Sequence, residues 1–217
     1  MITVTAFRWV PPLAQGLVRD HRVRWALEEA GLAYEERLIG PADQASADYR
    51  RLQPFGQVPV YEEDGLTLFE SGAIVLHIAE ASEVLMPSDP AARARTITWM
   101  FAALNSVEPH IQSLALIDLF YKNEEWAKQR RPGAVQMVEK RLDDLVAWLG
   151  ARDWLEDRFT AGDLLMASVL SILRHTNLVA ARPALEAYRL RCEARPAFQK
   201  ALADQLAPFA KNAPPGA

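Results

Sequence analysis

Two short segments offer backbone groups that could hold a small peptide, and the first surrounds Pro59. Residues 54–60 read Pro-Phe-Gly-Gln-Val-Pro-Val, with Pro59 where a strand would begin. Because proline cannot donate to a sheet ladder, the backbone groups of its neighbour Val58 are left free to face a ligand. We expect a cis Val58–Pro59 bond that turns the Val58 N–H and C=O outward. An ordinary trans proline at an edge strand is the alternative that this dipeptide alone leaves open.

The second segment begins a helix with an acid and a serine. Residues 68–74 read Leu-Phe-Glu-Ser-Gly-Ala-Ile, which places Glu70 and Ser71 at the helix start. Serine is a favoured N-cap, and a helix N-terminus attracts a carboxylate. An adjacent acid can accept a charge-assisted hydrogen bond from an ammonium group. The pair therefore suits the free end of an amino acid, although a plain helix cap with a solvated acid is the alternative.

The periodicity of the first eighty residues predicts the elements that position these two segments. Apolar and polar residues alternate at the start of the chain, and Gly31 is a natural end for the first helix. The predicted elements are a strand over 2–9, a helix over 17–30, a strand over 34–39, a helix over 42–52, strands over 58–61 and 66–69, and a helix over 71–81. This order is typical of an α/β thioredoxin-like domain, here residues 1–81.

The rest of the chain has helical periodicity alone. Residues 82–90 contain two prolines and predict a linker, and residues 91–217 predict an all-α domain. Its helices are expected over 91–121, 124–149, 162–175, 183–194 and 196–206. Thr160 and Asp163 have the spacing of a capping box, which we interpret as structural and worth about 1 kcal/mol.

Composition excludes several classes of function. The 24 basic and 28 acidic residues give a net charge of −4, so nucleic acid is not an expected partner. The single cysteine, Cys192, excludes an intramolecular disulfide and is expected to be buried. No signal peptide or membrane span is recognisable, which predicts a cytoplasmic protein. No two histidines have metal-ligand spacing, so no metal is expected at His21, His77, His110 or His175.

Several segments together resemble the cytosolic glutathione transferases, including their bacterial-type members. They are QPFGQVPV, LTLFESGAIVLHIAE, RVRWALEEAGLAYE, FTAGDLLMA and YRLRCEARPAF. The resemblance implies that glutathione is the co-substrate and that its cysteinyl backbone pairs with Val58, next to the cis residue Pro59. It also implies that Glu70 and Ser71 hold the γ-glutamyl end. The glycyl end is expected near two side chains, Gln57 and Gln44.

The front of the chain departs from this family. Members usually carry a Tyr, Ser or Cys near the first helix, whereas this chain has none before Tyr34. Two explanations remain open. In the first, backbone N–H groups at the helix start stabilise the thiolate, helped by Arg19 or Gln15. In the second, glutathione is held but hardly activated, and Arg19 is a solvated charge in a segment that is simply rich in arginine, with Arg22 and Arg24 nearby.

The resemblance further implies an activity and an assembly. A thiolate would attack an apolar electrophile between the two domains. Some of Trp99, Phe101, Leu104 and the run over 114–121 would line the pocket, the others being core. A homodimer is implied, as two-fold dimers are the commonest oligomers. The alternatives are a glutathione- or ligand-binding module with little catalysis, and a glutathione-dependent isomerase or reductase. The missing front cysteine argues against the reductase.

Overall fold

The structure is a computed structural model that describes residues 1–214 of the chain. The strands are β1 (Ile2–Phe7), β2 (Tyr34–Ile39), β3 (Val60–Glu63) and β4 (Leu66–Leu68). The α-helices are α1 (Asp20–Ala30), α2 (Pro41–Ala45), α3 (Ala47–Leu52), α4 (Ser71–Glu80), α5 (Pro90–Phe101), α6 (Glu108–Leu119), α7 (Glu125–Leu149), α8 (Ala161–Leu170), α9 (Pro183–Glu193) and α10 (Pro196–Lys211).

Contacts divide the chain into two compact units. One contains residues 1–86 together with the chain from Arg195 onward, and the other contains residues 87–194. This division differs from the predicted one at the last helix, because α10 packs against α1 of the first unit. Residues 215–217 of the predicted second domain lie outside the described residues.

The first unit is built on a four-stranded sheet of order β2-β1-β3-β4. β1 is parallel to β2 and antiparallel to β3, and β4 is antiparallel to β3. This arrangement confirms the predicted thioredoxin-like fold, and β2 has the bounds that the sequence predicts. Because β1 is a central strand, both Val4 and Thr5 are fully buried. The apolar–polar alternation of β1 therefore does not produce a solvent-exposed face.

The first helix begins later than its periodicity predicts. α1 starts at Asp20 and not at residue 17, because the Val18 and Arg19 carbonyls accept from N–H groups three residues on, at His21 (3.0 Å) and Arg22 (3.2 Å), and not four residues on as in an α-helix. The turn before the helix is closed by the Leu17 N–H, which donates to the Ala14 carbonyl at 3.0 Å. At the other end Gly31, with a φ of 68°, caps the helix as predicted. The chain from 15 to 19 is consequently a loop.

Two other predicted helices are divided. The helix expected over 42–52 is split into α2 and α3 at Ser46, whose hydroxyl accepts a hydrogen bond from the Tyr49 N–H at 3.1 Å. The helix expected over 91–121 consists of α5, a π-helical segment (Ala102–Val107) and α6. Pro109 lies in the first turn of α6 and has no N–H to continue the ladder, which accounts for the irregular segment before it.

The second unit, residues 87–194, is all-helical. Within it α5 packs against α8, and α6 packs against α7. Cys192 on α9 is fully buried, as its residue type predicts. No helix in the described part of the chain is long and apolar enough to cross a bilayer.

Candidate functional site

Val58 is almost buried and has two unused backbone groups. The Val58–Pro59 bond is cis, which confirms the prediction, and β3 begins only at Val60. Val58 is 8% exposed, yet neither its N–H nor its C=O has a hydrogen-bond partner within residues 1–214. Buried backbone groups in folded proteins are almost always paired. The pair at Val58 is therefore placed to receive the backbone of a ligand.

Two side chains hold the loop that carries Val58. Tyr49 on α3 donates its hydroxyl to the Gln57 carbonyl at 2.6 Å, and Gln44 donates its amide to the Gly56 carbonyl at 2.6 Å. The amide nitrogen of Gln44 is thus hydrogen-bonded to the protein backbone, and this bond holds the loop in place. The Gln57 side chain is exposed beside Val58.

The start of α4 is strained and open. Glu70 has a φ of 68° and a ψ of 111°, and its carbonyl accepts from the Ile74 N–H at 3.0 Å. Its side chain does not cap the helix, which leaves first-turn N–H groups available to an anion. A positive φ at a residue other than glycine costs about 1–3 kcal/mol and is typical of ligand-binding positions. The carboxylate of Glu70 is exposed beside this helix end.

The loop around Val58 and the start of α4 are neighbours. The rings of Phe55 and Phe69 pack edge to face with their centroids 6.2 Å apart. Phe55 belongs to the loop, and Phe69 immediately precedes Glu70. This contact joins the two segments that the sequence singles out.

Ser71 has a buried cationic neighbour that the sequence analysis missed. The Arg22 guanidinium on α1 is 4% exposed and lies 3.5 Å from the Ser71 hydroxyl oxygen through Nη1. Arg22 therefore differs from Arg19 of the same arginine-rich segment, which is exposed. Arg24 is also buried and pairs with Asp20 at 2.9 Å. The sequence does contain a sign of this ion pair, because Asp20 and Arg24 have the i, i+4 spacing of neighbours on one helix face.

The loop before α1 approaches the site through Val18. The Val18 side chain packs against an apolar cluster that includes Val58, Val60 and Tyr49. The Val18 N–H has no hydrogen-bond acceptor within residues 1–214. The sequence does not reveal this group, because an apolar side chain gives no sign of an unpaired backbone N–H.

Gln15 and Arg19, the two side chains predicted to help stabilise the thiolate, have different surroundings. The Gln15 amide donates to the Val10 carbonyl at 3.1 Å and is therefore already engaged. Arg19 is exposed at the residue before α1, where its charge lies at the positive end of that helix. No three His, Cys, Asp or Glu side chains of the described chain lie together in a way that could hold a metal ion.

Comparisons with known proteins identify the family. The family model "Glutathione S-transferase, N-terminal domain" matches residues 14–80. A glutathione S-transferase from Hyoscyamus muticus is 30% identical over 83% of this chain and 91% of its own length. The chain belongs to the glutathione S-transferase family.

Two further proteins are similar to this chain over most of its length. The Escherichia coli protein named disulfide-bond oxidoreductase YfcG is 27% identical over 84% of this chain and 89% of its own length. A glutathione transferase from Burkholderia graminis, solved with two glutathione molecules bound per subunit, superposes with a TM-score of 0.79. It is 25% identical and covers 93% of this chain and 87% of its own. These comparisons confirm the fold of a thioredoxin-like unit followed by helices.

Of the residues expected to line the electrophile pocket, Trp99 makes contacts within the second unit. Its ring lies 5.1 Å from that of Trp148, and its Nε1 donates to Glu156 at 2.9 Å. Phe101 is 55% exposed, whereas Leu104 is half-buried in the π-helical segment. Phe101 thus offers the more accessible apolar surface, whereas Trp99 is half-buried and held by contacts within the second unit.

Proposed function

We propose that this chain is a glutathione transferase that joins the sulfur of glutathione to an apolar electrophile. The observation that carries the proposal is the unpaired N–H and C=O of the nearly buried Val58, next to an uncapped helix start. A cysteinyl residue offers a complementary C=O and N–H. The family name of the relatives, and the glutathione bound in the Burkholderia graminis protein, support the same ligand.

The γ-glutamyl end is assigned to the start of α4. Ser71 accepts from Arg22, so its hydroxyl hydrogen can be donated to the α-carboxylate of the ligand. The helix N-terminus and the buried Arg22 charge both favour an anion there. Glu70, exposed at the same end, accepts from the α-ammonium group. Gln57 is assigned to the glycyl end, with Gln44 holding the loop beneath it.

The Val18 N–H is the proposed thiolate donor. Its side chain packs with Val58, which would hold the cysteinyl residue, and its N–H has no protein acceptor among the described residues. A thiol has a pKa near ~8.5, and lowering it by ~2 units needs only ~2.7 kcal/mol. Hydrogen bonding at a helix start lowers thiol pKa values by this amount. Arg19 adds a positive charge at the same helix end, and Gln15 holds the preceding chain.

The reaction that we propose is carried by the sulfur. The thiolate attacks an electrophilic carbon and forms a C–S bond. In a substitution the leaving group departs with its bonding electrons, and in an addition the adjacent carbon takes up a proton. Binding both reactants supplies much of the acceleration. We further propose that the protein acts as a cytoplasmic homodimer.

A disulfide-exchange activity is the second candidate, favoured by the name of the Escherichia coli relative. In this chain Cys192 is the only cysteine, and it is fully buried in the second unit. A disulfide reaction at the Val58 site would therefore use the sulfur of glutathione as nucleophile. The missing hydroxyl near the first helix also leaves a binding module with little catalysis as an alternative outcome.

An amide-to-ester replacement at Val18 tests the activation step. Incorporating the α-hydroxy analogue of valine removes the N–H and keeps the side chain. We expect the pKa of the bound thiol to rise by about 1 unit or more, and conjugation near neutral pH to slow about tenfold. Glutathione affinity should change much less, because the γ-glutamyl contacts remain.

Val18→Ala is the matched control, since it trims the side chain and keeps the N–H. The measurement is the ultraviolet absorbance of the bound thiolate as a function of pH, with calorimetry for affinity. An unchanged thiol pKa in the ester would contradict Val18 as the donor. If the unmodified protein binds glutathione without lowering its thiol pKa, the binding module is the better description.

A further inference from the structure

The buried amide of Gln205 on α10 holds the loop that precedes α1. Gln205 is fully buried, and its Oε1 accepts from the Gly16 N–H at 3.1 Å. Its Nε2 donates to the Val18 carbonyl at 3.1 Å and to Asp20 Oδ1 at 2.7 Å. The side chain thus bonds to three residues of one short segment that lies far away in the sequence.

These partners allow only one orientation of the amide. Turning it over would set the Nε2 hydrogens against the Gly16 N–H and Oε1 against two acceptors, the Val18 carbonyl and the Asp20 carboxylate. Asp20 is itself fixed by Arg24, whose Nη2 reaches Glu36 on β2 at 2.9 Å. The loop is therefore connected to the sheet through a chain of polar contacts, which is buried as far as Arg24 and ends at the exposed Glu36.

The contacts of Gln205 enclose the Leu17–Val18 peptide group. They hold the Gly16 N–H before it and the Val18 carbonyl after it. Two peptide groups lie between these atoms: the first donates the Leu17 N–H to Ala14, and the second carries the Val18 N–H, which has no acceptor among the described residues. Burying an amide is favourable only when its hydrogen bonds are made. An apolar side chain of similar size would fill the same space without fixing these backbone groups.

We propose that Gln205 is a positioning residue of the glutathione site, which sets the direction of the Val18 N–H toward the bound sulfur. This inference rests on the proposed function, because it takes the Val18 N–H as the thiolate donor. If Gln205 has this role, then α10, which packs against α1 in the first unit, influences the reactivity of the thiol.

Gln205→Met, which keeps the length and removes all three hydrogen bonds, tests the proposal. We expect the pKa of bound glutathione's thiol to rise by about 1 unit, a tenfold change in the thiolate equilibrium. The rate of conjugation at neutral pH should fall by a similar factor and recover at alkaline pH, where the thiolate forms unaided. Glutathione affinity should change less than about threefold, since the contacts at α4 are untouched.

Tyr34→Phe is the matched control for the docking of α10. It removes the hydrogen bond from the Tyr34 hydroxyl to Asp204 of the same helix, 3.3 Å long, while keeping the ring that packs against the Arg24 guanidinium and all three hydrogen bonds of Gln205. This control should leave the thiol pKa unchanged. The contrary result is that Gln205→Met lowers stability while the thiol pKa and the pH profile of conjugation stay the same as in the wild type. In that case the role of Gln205 is only structural, and the inference is overturned.

A second variant keeps the test decisive if Gln205→Met fails to fold. The double change Asp20→Asn with Gln205→Glu reverses the hydrogen bond between these two residues. The amide introduced at position 20 donates to the carboxylate introduced at position 205, and that carboxylate still accepts from the Gly16 N–H. The donor to the Val18 carbonyl is replaced by a carboxylate oxygen, which repels that carbonyl, and the negative charge beside Arg24 moves from residue 20 to residue 205. A raised thiol pKa is again expected. A wild type that does not lower the thiol pKa would instead contradict the proposed function itself.

Discussion

Replacing Ser71 by alanine is expected to weaken glutathione binding about tenfold, which corresponds to ~1.4 kcal/mol. The hydroxyl accepts from Arg22 and, in our proposal, donates to the α-carboxylate of the ligand. The substitution removes this relay and leaves a buried guanidinium facing a methyl group. Isothermal calorimetry with glutathione measures the effect directly.

Ser82→Ala is a matched control, because Ser82 is a buried serine of the same unit outside the site. Its affinity for glutathione should equal that of the wild type. A double-mutant cycle with Arg22→Met then measures the coupling of the two side chains, which should exceed about 0.5 kcal/mol. Normal glutathione binding by Ser71→Ala would exclude the proposed position of the γ-glutamyl end.

Replacing Asp163 by alanine is expected to cost roughly 3–5 kcal/mol of unfolding free energy, far more than an ordinary helix cap. The predicted capping box with Thr160 is confirmed, but the carboxylate also has other partners. It is fully buried and accepts from the Leu155 N–H at 2.9 Å, the Thr160 N–H at 2.9 Å and the Tyr188 hydroxyl at 3.0 Å. Alanine would leave these donors buried and unpaired.

Asp89→Ala provides the comparison for this stability prediction. Asp89 is the N-cap of α5 and accepts from the Ala92 N–H at 2.8 Å, but it is exposed. Water can replace its hydrogen bond, so the expected loss is only ~1 kcal/mol. Urea unfolding of both variants gives the two free energies. Equal losses would show that the additional partners of Asp163 contribute nothing, and that the sequence-based value of about 1 kcal/mol suffices.

The sequence was sufficient to predict features that depend on residue type at short range. Gly31 ends α1, Thr160 caps α8, and the strand pattern of 34–39 gives β2 its observed bounds. The family resemblance supplied the ligand groups expected at Val58 and Ser71. Each of these predictions depends on a side chain or a spacing that the sequence displays directly.

The remaining features depend on groups that the sequence does not display. The Val18 N–H belongs to the backbone, and its significance emerges only when its side chain packs beside Val58. The burial of Arg22 depends on α1 facing α4, and Gln205 reaches Gly16 across 189 positions of the chain. Single-residue patterns report neither long-range packing nor an unpaired backbone group.

The most direct test of the account is a crystal structure of the protein with glutathione bound. We expect the cysteinyl N–H and C=O to lie within hydrogen-bond distance of the Val58 C=O and N–H. The γ-glutamyl carboxylate should contact Ser71, and the sulfur should face the Val18 N–H. Glutathione bound elsewhere, or bound with the Val58 backbone still unpaired, would contradict the central claim.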